Sequence, residues 1–148
     1  MPASILERTH GPYLISTDRG RLDLELIHRF LSQDSYWAQG RDRATSDQAI
    51  DHSNLVIGAY DSHGVQVAFA RMVTDLATWA WLCDVFVVPD HQGTGLGTAL
   101  IGAIVEHPDV AGIRLQFLAT ADAHSVYAKF GFTALDDPTR WMHRSRPS

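Results

Sequence analysis

The chain has 148 residues, 45% of them hydrophobic and 20% charged, with a formal net charge of −5. That length suits a single domain, residues 1–148, with a core of its own and no space for a second catalytic domain. The acidic balance argues against a nucleic-acid partner gripped through a basic face and leans toward a cationic amine among small-molecule partners.

The single cysteine, Cys83, permits neither an intrachain disulfide nor a cysteine metal cluster, which suits a reducing cytoplasm. There is no long uninterrupted apolar run. Residues 1–11 lack the apolar core and small-residue cleavage site of a signal peptide, so a soluble cytoplasmic protein without membrane contact is expected. The eight histidines include no pair at helix-face spacing, so no metal is expected.

Residues 13–17 read as a first strand, and Thr17 or Asp18 is placed to cap a helix carrying Leu24, Ile27, Phe30 and Leu31 on one side. A polar connection over 35–41 leads to a second helix through Ala44, Gln48 and His52, with Ser46 and Asp47 disfavouring its middle. Two β-rich runs, 55–60 and 65–74, flank a glycine-containing turn and predict a hairpin. Residues 79–88 are apolar on both alternating faces except at Asp84, the pattern of a central strand covered on both sides.

Leu96, Ala99, Leu100, Ala103 and Ile104 recur at helical spacing, and Pro108 closes that helix. Residues 113–118 make the next strand, so a β-α-β crossover and a parallel strand pair are predicted. A last helix over 121–130 stops at Gly131, and 141–143 offer a terminal strand. The order β-α-α-β-β-β-α-β-α-β predicts an α/β fold, a mixed sheet with helices on both faces.

The segment Gln92-Gly93-Thr94-Gly95-Leu96-Gly97-Thr98 joins the apolar strand to the third helix. A glycine-rich strand-to-helix turn lets successive N–H groups converge on an anion, and the helix dipole adds to the attraction. A nucleotidase P-loop requires Gly-Lys-Ser/Thr, and no lysine lies near. A dinucleotide turn requires a third small residue where Thr98 stands, and it follows the first strand of its fold, not a late one. What remains is Gln-x-x-Gly-x-Gly, from Gln92 through Gly95 to Gly97.

That spacing resembles the pyrophosphate turn of the GCN5-related N-acetyltransferase (GNAT) superfamily. A second segment, Tyr127-Ala128-Lys129-Phe130-Gly131-Phe132, is similar to the family's Tyr-x-Lys-x-Gly-Phe and follows in the family's order and register. The likeness runs from about Tyr13 to His143 and is strongest from Asp84 onward. Residues 36–41 and 84–87 further resemble a small bacterial-type set of such enzymes, a likeness that names no acceptor.

The resemblance implies an acetyl-CoA-dependent N-acetyltransferase in which a small-molecule or peptide amine attacks the thioester directly; many relatives dimerise. By matching position, Val85 and Val87 would meet the pantetheine arm, and the N–H groups of Gln92, Gly93, Gly95, Gly97 and Thr98 the pyrophosphate. Tyr127 matches the tyrosine that assists the leaving thiolate, a phenol near pKa ~10 being a reasonable donor. The family often carries an asparagine near 120–123 that contacts the pantetheine; here Thr120 or Asp122 would take over that cofactor contact. A non-catalytic acyl-CoA-binding or sensing module is the competing reading.

Asp84, the lone charge of its strand, is either the base that deprotonates the acceptor or a carboxylate that orders the site. Trp37 and Tyr36 fall where the family builds its acceptor pocket, with Arg41, Asp34 and Asp42 nearby. Trp79 and Trp81 read as core aromatics, His91 as surface, His124 as a remote relay candidate, and Cys83, without a histidine beside it, as inert.

Overall fold

Apolar alternation builds one six-stranded sheet in the computed structural model, which describes residues 4–147. The strands lie in chain order: β1 (Glu7–His10), β2 (Tyr13–Ser16), β3 (Leu55–Tyr60), β4 (Gln66–Thr74), β5 (Ala80–Val87) and β6 (Gln116–Phe117). All neighbours are antiparallel except β5 and β6, the parallel pair that the β-α-β crossover predicted.

The strands covered on both faces are β3, buried throughout, and most of β4. The prediction for 79–88 is corrected here: Ala80, Leu82, Asp84 and Phe86 are buried, while Trp81 is 45% exposed and Val85 and Val87 only half-buried. The stretch of β5 from Trp81 to Val85 lines an open cleft, and that stretch becomes the site.

Helices cover the two faces through separate clusters. On one, Ile15, Ile57, Met72 and Leu82 pack against Leu96, Leu100 and Ile104 of α3 (Leu96–Val105). On the other, Val56, Phe69 and Phe86 meet Ile27 and Leu31, from α1 (Leu24–Arg29) and the π-turn that extends it, and Ile50 of α2 (Arg43–Asp51). The short α4 (His124–Ala128) sets Tyr127 against the first cluster.

Helix starts follow the nearest free carboxylate. Asp23, not Thr17 or Asp18, caps α1, its Oδ1 accepting from the Leu26 N–H at 3.0 Å, while Asp18 caps a 3₁₀ turn over Arg19–Arg21. Asp42 caps α2 through the Thr45 N–H at 2.7 Å. That helix runs unbroken through Ser46 and Asp47, because Asp47 pairs with Arg43 one turn earlier at 2.9 Å.

Strand β1 carries only polar side chains, so no apolar period betrays it. Glu7 holds it to the sheet by accepting from Ser16 Oγ at 2.6 Å and Arg21 Nε at 2.9 Å. At the other end the expected strand over 141–143 does not form: a two-residue β6 offers no ladder to extend, and Trp141 instead packs edge-on against Phe117 with ring centroids 4.6 Å apart. The strand predicted over 113–118 shrinks to β6, and the helix over 121–130 to α4.

Candidate active site

The site forms where β5 and β6 part. They pair only at Ala80 with Gln116 and Trp81 with Phe117; β5 runs on to Val87 while the other chain turns away through 118–123. The cleft so opened is lined by Tyr36, Trp37, Arg41 and Arg71 on one side and by 118–123 with Tyr127 on the other, with 81–85 as its floor.

A bulge in β5 shapes this floor. The β4–β5 register slips between Phe69 and Arg71, and Asp84 adopts φ +55°, a left-handed backbone that a non-glycine residue rarely takes. One extra residue exchanges the faces. Leu82 packs with the α3 cluster, Phe86 with the α1 cluster, and beyond the bulge Val85 and Val87 take over the α3 side.

Val88 donates to the Val67 carbonyl at 2.9 Å, so strand alternation turns the N–H groups of Val87 and Val85 the other way, past the end of β5–β6 pairing. The turn that follows carries φ +78° at Gly93 and +80° at Gly95, conformations costly for a side-chain-bearing residue. A Cβ on Gly95 would also stand 3.3 Å from His10 Nε2. The N–H groups of Gly93, Gly95, Gly97 and Thr98 have no acceptor among the described residues, and the helical ladder begins only with Ala99 donating to Gly95 at 3.0 Å. Such a concavity fits a pyrophosphate.

Gln92 departs from the expectation. Its N–H donates to the Pro89 carbonyl at 3.2 Å, and its side-chain Nε2 to the Val87 carbonyl at 2.8 Å. Gln92 therefore braces strand to turn instead of offering an N–H to an anion.

Two histidine contacts that sequence reasoning missed steady the same turn. His10 Nε2 donates to the Thr94 carbonyl at 3.1 Å, and Tyr13 Oη lies 2.7 Å from His91 Nδ1, with the two rings edge to face. Their partners lie 78 or more positions apart in the chain, so no local pattern announces them.

Asp84 is the hub of the opposite wall. Its Oδ1 accepts from Trp37 Nε1 at 2.8 Å, and its Oδ2 from Arg41 Nη1 at 2.8 Å and Arg71 Nε at 2.7 Å. Burial alone would push this carboxyl up; the Arg41 hydrogen bond and the charge and hydrogen bond of Arg71 outweigh it and hold the pKa below the usual carboxylate range. Arg71 also donates to Ser53 Oγ at 3.2 Å. It is the lone cation of an apolar strand, the same signal that singled out Asp84.

Tyr127 is 8% exposed, and its hydroxyl has no hydrogen-bond partner among the described residues. Burial first, then the neighbouring Tyr36 and Asp122, pushes its phenol up to about 12, above the ordinary value near 10. Tyr36 bridges the cleft by accepting from the Ala121 N–H at 2.8 Å and packs edge-on against Trp37. Thr120 Oγ1 accepts from the Ala123 N–H at 3.1 Å, which leaves Asp122 as the exposed carboxylate of that rim.

Trp81 lines the cleft, correcting its reading as a core aromatic; Trp79 is likewise part-exposed, at 38%. Burial pushes the Cys83 thiol up to about 11, which keeps it protonated. Asp42 is spent on capping α2, and His124 is exposed outside the cleft. Among the described residues no three His, Cys, Asp or Glu side chains gather as a metal site, and no helix is long and apolar enough to cross a membrane.

Residues 51–134 match the family profile described as an acetyltransferase (GNAT) domain. A Gibberella zeae protein, FG08082, provisionally named as an acetyltransferase, is 31% identical over 139 residues, covering 82% of this chain and 78% of that one. A crystal structure from Xanthomonas campestris pv. campestris, assigned to the same family, superposes with a TM-score of 0.87 at 47% identity, covering 94% and 95% of the two chains. A Brucella melitensis GNAT acetyltransferase solved with acetyl-CoA shares the fold at a TM-score of 0.65 and 20% identity, over 84% of this chain and 85% of that one. With the splayed strands, the glycine turn opening α3 and the profile matched over more than half its length, the chain belongs to the GNAT family of acetyltransferases and is an acyltransferase enzyme.

Proposed function

We propose that the enzyme transfers an acetyl group from acetyl-CoA to an amine by direct attack on the thioester. The observation that carries this reading is the order of three features along the chain's β5–turn unit: the cleft that holds Tyr127 and Val85, the unpaired β5 edge leading on to Val87, and the unspent N–H donors of the glycine turn that follows. The relative solved with acetyl-CoA supports the identity of the donor.

Acetyl-CoA supplies the thioester carbonyl and the leaving thiol. Gly93, Gly95, Gly97 and Thr98 hold the pyrophosphate, Val85 and Val87 align the arm, and the Val87 N–H polarises the carbonyl oxygen. The acceptor nitrogen gives up its proton to water, the N–C bond forms and the C–S bond breaks. Tyr127, neutral at physiological pH, donates a hydrogen bond to the sulfur as charge develops there. With its phenol at about 12, above an ordinary thiol near ~8.5, it stabilises the thiolate without needing to surrender its proton.

In this reading Asp84 anchors and does not act as the base. Its two oxygens already serve three donors, and a carboxylate held below its usual range is a poor proton acceptor. Trp37 and Tyr36 form the acceptor end. The protonated state of Cys83, which no histidine hydrogen-bonds among the described residues, supports direct transfer over an acyl-cysteine route.

The test is thiol release from acetyl-CoA across amines, amino acids, polyamines and peptides, with wild type against Tyr127→Phe. Turnover with at least one acceptor, lowered in the variant, is expected. Tight CoA binding with no thiol release on any acceptor would establish a sensing module instead.

A further inference from the structure

The two walls of the cleft carry opposite charge. On the wall of Tyr36 and Trp37 lie two guanidinium groups, Arg41 and Arg71, with side chains 22% and 11% exposed, around a single carboxylate, Asp84, whose side chain is 3% exposed. Across the cleft the carboxyl group of Asp122 is the one acidic or basic side chain among the described lining residues, on the rim beside Tyr127. The buried triad therefore keeps one positive charge in excess, although the whole chain is acidic.

That excess charge comes with unspent donors. Arg41 uses Nη1 on Asp84; its Nε and Nη2 have no acceptor among the described residues. Nε and Nη2 form one planar edge of the guanidinium, the edge that grips a carboxylate or phosphoryl group with two parallel hydrogen bonds. Arg71 spends Nε on Asp84 and Nη1 on Ser53, so it is more firmly fixed and backs Arg41. Three donors already engage the Asp84 carboxylate, Trp37 on one oxygen and the two arginines on the other, and the net positive charge of this wall disfavours a second ammonium group there.

We infer that the acceptor is an amine that also bears an oxyanion, with Arg41 binding the anion while the nitrogen lies toward Tyr127 and Asp122. The exposed faces of Trp81, Trp37 and Tyr36 between these poles suit an apolar body linking the two groups. This inference rests on the acetyl transfer proposed above and reverses the leaning toward purely cationic amines that net charge suggests. Asp84 is a positioning residue in it, turning the Arg41 fork into the cleft.

The experiment uses acceptor pairs differing only in the anion: glycine, alanine and phenylalanine against their carboxamides, and O-phosphoethanolamine against ethanolamine. Each is assayed for thiol release at saturating acetyl-CoA. The anionic member is expected to show a KM lower by roughly 10- to 100-fold, the scale of a charge-assisted hydrogen bond. In Arg41→Gln that preference should fall to within about threefold because KM for the anionic member rises, while KM for acetyl-CoA, which reports the glycine turn and an intact fold, stays within about threefold of wild type. The amino-acid and phosphate arms tell which oxyanion is preferred.

Neutral members used as well as anionic ones, or a preference that survives Arg41→Gln, would overturn the inference. Thiol release with a polyamine or peptide and with no pair would overturn the inference alone; if no acceptor of either panel releases thiol, the transfer reading itself fails. Calorimetry of N-acetylglycine and O-phosphoethanolamine on the CoA-saturated protein then decides the subsite: binding lost in Arg41→Gln supports it, and binding absent or unchanged overturns it.

Discussion

His10 Nε2 donates to the Thr94 carbonyl at 3.1 Å, linking the first strand of the sheet to the centre of the glycine turn. The contact turns one carbonyl of the turn away from the concavity and leaves the N–H groups facing it. His10→Ala is expected to raise KM for acetyl-CoA roughly 2- to 10-fold, the scale of one neutral hydrogen bond, with kcat little changed. Gly95→Ala should cost more, since its φ of +80° and the 3.3 Å approach to His10 both resist a Cβ. Steady-state kinetics with acetyl-CoA varied checks both, and a change confined to kcat would contradict the assignment.

Tyr127→Phe is expected to lower kcat roughly 10- to 100-fold with KM for acetyl-CoA nearly unchanged, because the ring stays packed in the core cluster and only the donor is lost. The raised phenol sets the alkaline behaviour. A group with its pKa at about 12 remains protonated through the ordinary assay range, so it should produce no fall in kcat between pH 7 and 10. A kcat that declines with a midpoint near 10 in wild type and not in the variant would show that burial does not protect this hydroxyl.

Asp84→Asn removes the charge that two buried guanidinium groups share, and breaking such a buried pair typically costs about 3–5 kcal/mol. A lower thermal midpoint is expected, together with weaker acceptor binding. The acid side carries a sign. The folded-state pKa of Asp84 lies below its unfolded value, so its stabilising contribution is complete above the unfolded value near ~3.9 and is lost as pH falls through the folded one. Wild type and Asp84→Asn should therefore differ in stability at pH 6 and converge as pH falls below the folded-state value, which denaturant melts at several pH values can follow.

His107 is fully buried just past the end of α3, where Nε2 donates to the Ser4 carbonyl at 3.1 Å and Nδ1 accepts from the Asp109 N–H at 3.1 Å. His107→Ala removes both hydrogen bonds and should destabilise the fold by about 1–3 kcal/mol while leaving kcat within twofold. Chemical denaturation alongside the thiol-release assay separates the two effects.

What the chain makes legible follows from physics of short range. The β5–turn–α3 unit is readable because its apolar period, its glycines and Pro108 all lie within about thirty residues. Asp84 stands out for the same reason, as one charge in an apolar run. What lies hidden is set by distance along the chain: Arg71 and Arg41 meet Asp84 from two other elements, and His10 reaches Thr94 across 84 positions. The bulge at Asp84 was hidden too. Without it the alternation of 79–88 reads as a fully covered strand; with it, Leu82 and Phe86 serve opposite faces, and the open side of β5 becomes available for chemistry.

The parting of β5 from β6 after Trp81 leaves the sheet unfinished along the cleft, with strand N–H groups that no neighbouring strand pairs. A ligand laid along that edge replaces a missing strand, so filling the cleft and folding the domain share one equilibrium. Saturation at a hundred times Kd adds about 2.7 kcal/mol to the unfolding free energy. On the proposed reading, acetyl-CoA laid along β5 would raise the unfolding free energy in this way and slow proteolysis through the opened chain.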